Sequence, residues 1–335
     1  MNQLSLLVEA NKSIPTTTPE SFGNESAIAS DNANHQILPG SFSQIVGQTL
    51  AKSLLQNAIT NSKISSAYLF KGIDGIGKTL AARVFVSQLL NTNSFTNHPD
   101  LLWVEPKHLH QGNLVSDFQL KETGASPKSP PQIRLEQIRE VTRFLSSSAL
   151  TSRKVVVIAE ADQMNAASAN ALLKTLEEPK GSNCIILVSS KPQLLLTTIS
   201  SRCTTIPFHC LTCSELAVVL EKLEKSQILL QQDILAMAVG SPGQAISYYD
   251  LWQSISSDLL LNLAKPPISF LEALQLSSNI KVLEQQQQIW LLDYIQYTWW
   301  TQYQDKKLVA KVESAKLAMN KSITPRLIWD VLLLP

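Results

Sequence analysis

The feature that most restricts the fold of this chain is a glycine-rich octapeptide between a predicted strand and a predicted helix. Residues 72–79 read Gly-Ile-Asp-Gly-Ile-Gly-Lys-Thr and match the pattern G-x-x-x-x-G-K-[ST] at every fixed position. The β-rich run Tyr68–Lys71 precedes the octapeptide, and the helical pattern Thr79–Leu90 follows it. Because this motif functions only between a strand and a helix, its setting predicts a loop that binds phosphate groups.

Each fixed residue of this loop has an expected task. Glycines allow backbone N–H groups to turn toward an anion, and the N-terminus of the next helix adds a favourable dipole. We therefore expect Gly72, Gly75 and Gly77 to shape the loop. We expect Lys78 to reach the β- and γ-phosphates of ATP, and the Thr79 hydroxyl to bind Mg²⁺ carried by the nucleotide.

Alternating strand and helix patterns extend over residues 39–208. The further short β-rich runs are Leu101–Val104, Val155–Ile158, Ile185–Val188 and Thr205–Phe208, and the further helical patterns are Ile133–Leu145 and Asn165–Glu177. Apolar runs without alternation are typical of parallel strands covered on both faces. The sequence therefore predicts an α/β domain with a parallel sheet, with the polar segment His108–Pro131 inserted as a loop.

Beyond residue 208 the strand patterns end and helical patterns take over. Ser214–Leu223 and Asp233–Val239 are predicted as short helices, followed by a helix-breaking turn at Gly240–Gly243. Lys265-Pro266-Pro267 predicts a second boundary. We expect a small helical domain at residues 209–264 and a helical C-terminal domain at residues 265–335.

The first 38 residues are rich in Ser, Thr, Asn and Pro and lack apolar periodicity, which predicts a disordered tail. One cation, Lys12, stands against four carboxylates, so the tail carries −3 and the remainder +4 of the total charge of +1. A chain so nearly neutral is not a polycation for nucleic acid, although a local basic surface is compatible with it. Four cysteines are too few for a disulfide scaffold, and with no apolar run of membrane-spanning length a reduced, cytoplasmic setting is expected.

The strand Val155–Ile158 leads into Ala159-Glu160-Ala161-Asp162. P-loop NTPases place an Asp at the end of this strand to organise Mg²⁺, with a Glu beside it to orient the attacking water. Here Glu160 is present, but Ala159 stands in place of the Asp, and Asp162 is expected in the next turn as a possible helix cap. The sequence therefore predicts a site that binds nucleotide but hydrolyses it poorly, with Glu160 as a weak catalytic residue or a solvated strand-end carboxylate.

Several further motifs resemble the clamp-loader branch of the AAA+ ATPases. They are the run Asn170–Pro179, the triplet Ser201-Arg202-Cys203 and the opening Phe42–Gln48. Within that branch, His98-Pro99-Asp100 and Pro130–Arg134 resemble the delta-prime subunits of bacterial DNA polymerase III, as does the segment Asn320–Leu327 near the C-terminus. The resemblance extends from about Phe42 to the last helix.

The resemblance implies a fold, a task and a set of partners. The α/β part would be an AAA+ P-loop domain, residues 209–264 a lid domain, and residues 265–335 a collar domain for oligomerisation. The partners would be gamma/tau ATPase subunits, the delta subunit, the sliding clamp and, through the complex, primed DNA. Arg202 would act as an arginine finger in the ATP site of a neighbouring subunit, and Ser190 would lie at the polar sensor position after the strand Ile185–Val188.

Departures from the pattern of the motor subunits favour a stator. The gamma/tau subunits carry a four-cysteine zinc module after the P-loop helix, whereas residues 80–183 of this chain contain no cysteine. They also carry an arginine after Gly-Ser-x in the lid, where this chain has Gly243. No zinc site is expected, since Cys210-x-x-Cys213 has no second pair at suitable spacing. Two alternatives stay open: an autonomous gamma/tau-type motor, and an unrelated P-loop kinase or transport ATPase.

Overall fold

A computed structural model describes residues 41–92, 95, 97–110, 112–116, 119–120, 129–319 and 324–334 of the chain. The predicted tail lies outside these described residues, as do residues 320–323 at the start of the predicted closing segment.

Five parallel strands form one sheet in the order β2-β5-β6-β1-β7. Their bounds are β1 (Ala67–Lys71), β2 (Leu101–Val104), β5 (Val155–Ile158), β6 (Cys184–Ser189) and β7 (Thr204–Pro207). Strands β5 and β6 are buried along their whole length, which explains why both are apolar without alternation. The parallel α/β sheet predicted from the sequence is confirmed, and each bound agrees within one residue.

Helices cover both faces of this sheet, and their bounds are α1 (Thr49–Thr60), α2 (Lys78–Leu90), α3 (Leu135–Ser146), α4 (Ala166–Glu177) and α5 (Thr197–Ser200). On one face Tyr68 and Phe70 share a buried cluster with Phe85 of α2. On the other face Leu69 shares a second cluster with Ile138 of α3 and Leu172 of α4. Alternate residues of β1 thus belong to the two clusters, as strand geometry requires.

The polar segment predicted as a loop at 108–131 contains a hairpin. Strands β3 (His108–His110) and β4 (Asn113–Val115) pair antiparallel, with His110 opposite Asn113. The loop prediction is wrong here because the run is too short and too polar to show a strand pattern. Gly112 at the turn adopts a φ of +83°, which glycine reaches without a Cβ penalty.

The described residues beyond β7 are mainly helical, as expected. Their helices are α6 (Cys213–Lys222), α7 (Gln232–Ala238), α8 (Pro242–Ser254), α9 (Ser257–Leu263), α10 (Phe270–Ile280), α11 (Gln285–Tyr303), α12 (Lys306–Met319) and α13 (Pro325–Leu333). The predicted helix-breaking turn is only partly right, because Pro242 and Gly243 open α8 and the break itself lies at Val239 and Gly240. Leu259, Leu260 and Leu263 of α9 share a cluster with the C-terminal helices. The exact domain bounds stay predictions.

Candidate functional site

The phosphate loop leaves the carboxyl end of β1 and enters α2. Gly77 is the residue before α2 and has a φ of +93°, in the left-handed region that favours glycine. At Gly72 a Cβ would lie 2.6 Å from the carbonyl oxygen of Phe208, so no side chain fits there. Gly75 also has a positive φ, of +74°. Each of the three glycines predicted from the motif therefore occupies a backbone conformation or a space that a residue with a side chain would rarely adopt.

Lys78 is buried inside this loop, with 4% of its surface exposed. Its ammonium donates to the carbonyl oxygen of Ile73 at 2.5 Å and to the Ser190 hydroxyl at 3.0 Å. Burial lowers the pKa of Lys78 below its usual value, while the carboxylates of Asp74, Asp162 and Glu160 oppose that shift. The structure thus places the predicted lysine and the predicted sensor serine in direct contact, whereas Thr79 lies exposed in the first turn of α2.

Asp162 joins two strand ends at this edge of the sheet. Its Oδ1 accepts a hydrogen bond from the Ser189 hydroxyl at 2.6 Å and one from the Ser190 N–H at 3.0 Å. The expectation that Asp162 caps the following helix is wrong, because Asn165 is the N-cap of α4. Asp162 and Ser190 lie 28 positions apart in the chain, so no local sequence pattern indicates this contact.

The predicted departure from the usual acidic strand end is present. Ala159 is nearly buried, with 8% of its surface exposed, and its N–H donates to the carbonyl oxygen of Val104. Glu160 is exposed and has a φ of +47°, which is uncommon for a residue with a side chain. Glu160 therefore contributes charge near Lys78, while the position before it contributes none.

The residues present fit the phosphates of a nucleotide better than they fit a metal held by protein alone. The loop offers backbone groups, an ammonium and a helix N-terminus, the features of an anion site. Over the described ranges, no three His, Cys, Asp or Glu side chains group in a way that could hold a metal ion. Thr79 would thus hold Mg²⁺ that arrives with the nucleotide. Among the cysteines, Cys210 and Cys213 are exposed and free.

Arg202 follows α5 on the surface and is bound to the end of α4. One guanidinium nitrogen lies 2.9 Å from Glu177 Oε1, and the other donates to the carbonyl oxygen of Thr198 at 3.0 Å. The side chain is 37% exposed. An ion pair between two such exposed groups contributes about 1 kcal/mol or less, so little holds the guanidinium in this position. Cys203 beside it is partly buried, which raises its thiol pKa to about 11.

Two families match this chain one after the other. The family described as DNA polymerase III, delta subunit, matches residues 47–212. The C-terminal domain described as that of cyanobacterial DNA polymerase III delta prime matches residues 214–335. The chain belongs to the delta-prime family of DNA polymerase III subunits.

Individual relatives agree with this membership. The delta-prime subunit of Bacillus subtilis is 35% identical over 163 residues, which are 48% of this chain and 47% of that subunit. The tau subunit of the same organism is 31% identical over 227 residues, 66% of this chain and 39% of tau. The matched part of this chain thus spans less than half the length of these relatives. The recognition of a clamp-loader family from its motifs is confirmed.

A solved structure supports the fold class. A DNA polymerase III gamma subunit-related protein of Thermotoga maritima superposes with a TM-score of 0.50 at 19% identity, over 84% of this chain and 97% of that chain. At this identity the likeness concerns the fold alone, and it supports the predicted fold class, a parallel α/β domain followed by helical regions. No helix among the described residues is long and apolar enough to cross a membrane.

One part of the site had no predicted counterpart in the sequence. Ser241, the N-cap of α8, and Gly243 in its first turn contact the phosphate loop at Asp74 and Gly75. The sequence Gly-Ser-Pro-Gly at 240–243 indicates a break between helices. Nothing local indicates that the residues after the break touch a loop more than 160 positions earlier.

Proposed function

We propose that this chain is a delta-prime-type subunit of a replicative sliding-clamp loader that works in the cytoplasm during DNA replication. The observation that carries the proposal is the consecutive match of two DNA polymerase III families over residues 47–212 and 214–335. The partners would be gamma/tau ATPase subunits, the delta subunit and the sliding clamp, with primed DNA reached through the complex.

The task of the chain in that assembly would be to supply Arg202 to the ATP site of a neighbour. A guanidinium beside a γ-phosphate neutralises the charge that develops during phosphoryl transfer, and it does so from a different subunit only if it lies on the surface. The exposure of Arg202 and its weak pairing with Glu177 support this role.

The chain's own nucleotide site would bind MgATP but hydrolyse it slowly. Lys78, Thr79 and the three loop glycines supply the groups that hold phosphates. Ala159 supplies no carboxylate to organise the metal, and Glu160 alone would orient a water only weakly. An autonomous gamma/tau-type motor is the second candidate, favoured by the match to tau over 66% of this chain. It predicts rapid hydrolysis by the isolated chain.

A reconstitution with the gamma/tau and delta partners, the clamp and primed DNA tests these roles. We expect Arg202→Ala to lower the ATPase rate at the affected site by about 10³-fold, the effect of removing an arginine finger. We expect Lys78→Ala to leave the rate of the whole complex nearly unchanged. The wild-type chain measured alone should turn over ATP far more slowly than the complex.

Glu177→Ala is the matched control, because it breaks the same ion pair and leaves the arginine in place. If Arg202 serves only to hold α5 against α4, the two substitutions should have equal effects. The finger role is wrong if Arg202→Ala leaves turnover intact, and the motor alternative is correct if the purified chain alone hydrolyses ATP at the rate of the complex.

A further inference from the structure

Two hydrogen bonds join the phosphate loop to the first turn of α8. The Ser241 hydroxyl donates to the carbonyl oxygen of Asp74 at 2.6 Å, and the Gly243 N–H donates to the carbonyl oxygen of Gly75 at 3.0 Å. Ser241 is fully buried, with 0% of its surface exposed. We call these two bonds the lid–loop contact.

The lid–loop contact provides an unusual hydrogen-bond acceptor for one of the first N–H groups of α8. The first N–H groups of a helix have no partner inside the helix and are ordinarily bound by a side chain or by water. Here the Ser241 hydroxyl accepts from the Gln244 N–H in the common capping arrangement. The Gly243 N–H instead finds its acceptor in the loop, so Gly75 provides part of the cap of a helix in a different part of the chain.

The fit between the two backbones excludes side chains at the point of contact. A Cβ at Gly243 would lie 2.6 Å from the Cα of Gly75, and a Cβ at Gly75 would lie 2.8 Å from the Cα of Gly243. Both distances are too short for carbon atoms that are not bonded. Glycine is therefore required at both positions for as long as the lid–loop contact exists.

The contact also determines which way two peptide groups of the loop point. In a planar trans peptide the C=O and the N–H of one unit point in opposite directions. When α8 binds the carbonyl oxygens of Asp74 and Gly75, the N–H groups of Gly75 and Ile76 face away from α8. Backbone N–H groups that share one direction are what a phosphate-binding loop requires.

We propose that Ser241 and Gly243 are positioning residues of the phosphate loop, which orient the Gly75 and Ile76 N–H groups toward a nucleotide phosphate. This inference rests on the proposed nucleotide site, since it names residues that shape that site without touching the nucleotide. It ascribes the shape of the loop to the lid as well as to the glycines within the motif.

The test uses the full chain and two measurements. Hydrogen exchange followed by mass spectrometry reports on the backbone amides of residues 72–79 without nucleotide, and a fluorescent ATP analogue with Mg²⁺ reports affinity. We expect Ser241→Ala to speed exchange in the loop and to weaken binding about fivefold, the equivalent of one hydrogen bond. Ser241→Thr keeps a hydroxyl and should restore both values to within about twofold of the wild type.

Gly243→Ala is a second variant, for which helix propensity and the lid–loop contact predict opposite effects. Alanine is ordinarily better than glycine inside a helix by about 1 kcal/mol, yet here its methyl group must push α8 off the loop. We expect faster loop exchange and weaker binding although α8 itself gains helix propensity. Gln244→Ala, one position further along α8, is the matched control and should change neither value.

Ser269→Ala separates loss of a cap from loss of the contact. Ser269 caps α10 by accepting from the Glu272 N–H and has no bond to the loop. If Ser241→Ala and Gly243→Ala leave loop exchange at the wild-type rate, or if Ser269→Ala speeds it equally, the positioning role is wrong. If the wild-type chain binds no MgATP while both α8 variants still speed loop exchange, the nucleotide proposal fails and the positioning of the loop stands.

Discussion

Asp100 is a buried carboxylate just before β2, with 1% of its surface exposed. It accepts hydrogen bonds from the N–H groups of Leu150 at 2.9 Å and Thr151 at 2.6 Å. Its own backbone carbonyl accepts from the Val155 N–H, so the residue also holds the start of β5. The motif His98-Pro99-Asp100 thus has a structural role, because it fixes the strand that leads to Ala159 and Glu160.

The Asp100 carboxylate should make the stability of the wild-type chain depend on pH, and replacing it should remove that contribution. Burial raises the pKa of Asp100, but the donors from Leu150 and Thr151, with His98 nearby, outweigh it, and the net pKa is lowered. A lowered pKa in the folded state adds stability above the unfolded pKa of about 4, and that stability is lost as pH falls through the folded value. We expect Asp100→Asn to lower the free energy of unfolding at pH 7 by about 1–3 kcal/mol.

Urea unfolding of both proteins between about pH 7 and pH 3 checks this expectation, and their difference should shrink below about pH 4. Asp250→Asn on the exposed side of α8 is the control and should shift stability by less than about 0.5 kcal/mol at any pH. A loss for Asp100→Asn that stays the same at every pH would mean that packing, and not the charge, accounts for the effect.

At the residue scale, the sequence identifies the side chains of the candidate site better than it identifies their hydrogen-bond partners. The motif identifies Lys78 because its spacing is local, and the end of β6 identifies Ser190. The motif does not show that Asp162 bonds to both Ser189 and Ser190, since that contact depends on the order of β5 and β6 in the sheet. Side-chain partners of this kind follow from topology, which a single strand pattern does not contain.

At the scale of elements, local patterns place most helices and strands but not the exact residue at each end. Ile133 fits the apolar spacing of α3, and the sequence pattern predicts it as the first residue of that helix. In the structure it lies before the helix, fully buried and bridged to Met164. Because an apolar residue at a helical interval can be buried by a neighbouring loop as well as by a helix, periodicity alone does not decide the boundary.

Three buried tryptophans of the C-terminal helices differ in whether the indole N–H has a hydrogen-bond partner. Trp299 donates its indole N–H to the carbonyl oxygen of Leu263, and Trp329 donates to Gln288 Oε1, each at 3.0 Å. The indole nitrogen of Trp290 is buried without a hydrogen-bond partner among the described residues. The three side chains are otherwise alike in burial, with at most 2% of their surface exposed.

Replacing each tryptophan by phenylalanine should therefore cost different amounts. All three changes remove similar volume, but Trp299→Phe and Trp329→Phe also leave a buried oxygen without a donor, which adds about 1–3 kcal/mol. We expect Trp290→Phe to be the mildest in urea unfolding followed by circular dichroism. Equal losses at all three positions would show that packing volume alone decides the cost.

At the scale of the whole molecule, the sequence predicts the class of fold. It does not predict which residues far apart in the chain come into contact. The alternation of apolar strands and helices is sufficient to indicate a parallel α/β domain, because the central strands β5 and β6 are covered on both faces. The lid–loop contact joins residues 167 positions apart. A glycine is required at 243 because Gly75 lies against it. No local sequence pattern indicates that these two residues are in contact.

Nucleotide binding should raise the melting temperature of the whole chain. A ligand that binds only the folded state stabilises it by RT ln(1 + [L]/Kd), about 2.7 kcal/mol at a hundredfold excess over Kd. In a chain of this size each kcal/mol raises the melting temperature by about 1.5 °C. We therefore expect MgATP to raise the melting temperature of the wild-type chain, and a non-hydrolysable analogue with Mg²⁺ to raise it equally, because hydrolysis plays no part in the stabilisation.

Lys78→Ala should abolish that rise, since it removes the cation inside the loop, whereas Arg202→Ala should keep it, because Arg202 contacts Glu177 and Thr198 and not the loop. The pair of variants thus separates the two nucleotide roles proposed for this chain: Lys78 would act on a nucleotide bound here, and Arg202 on one bound by a neighbour. A melting temperature that MgATP leaves unchanged in the wild type would mean that the loop binds no nucleotide. The finger role proposed for Arg202 would then connect this chain to ATP through a neighbour's site, without a nucleotide of its own at Lys78.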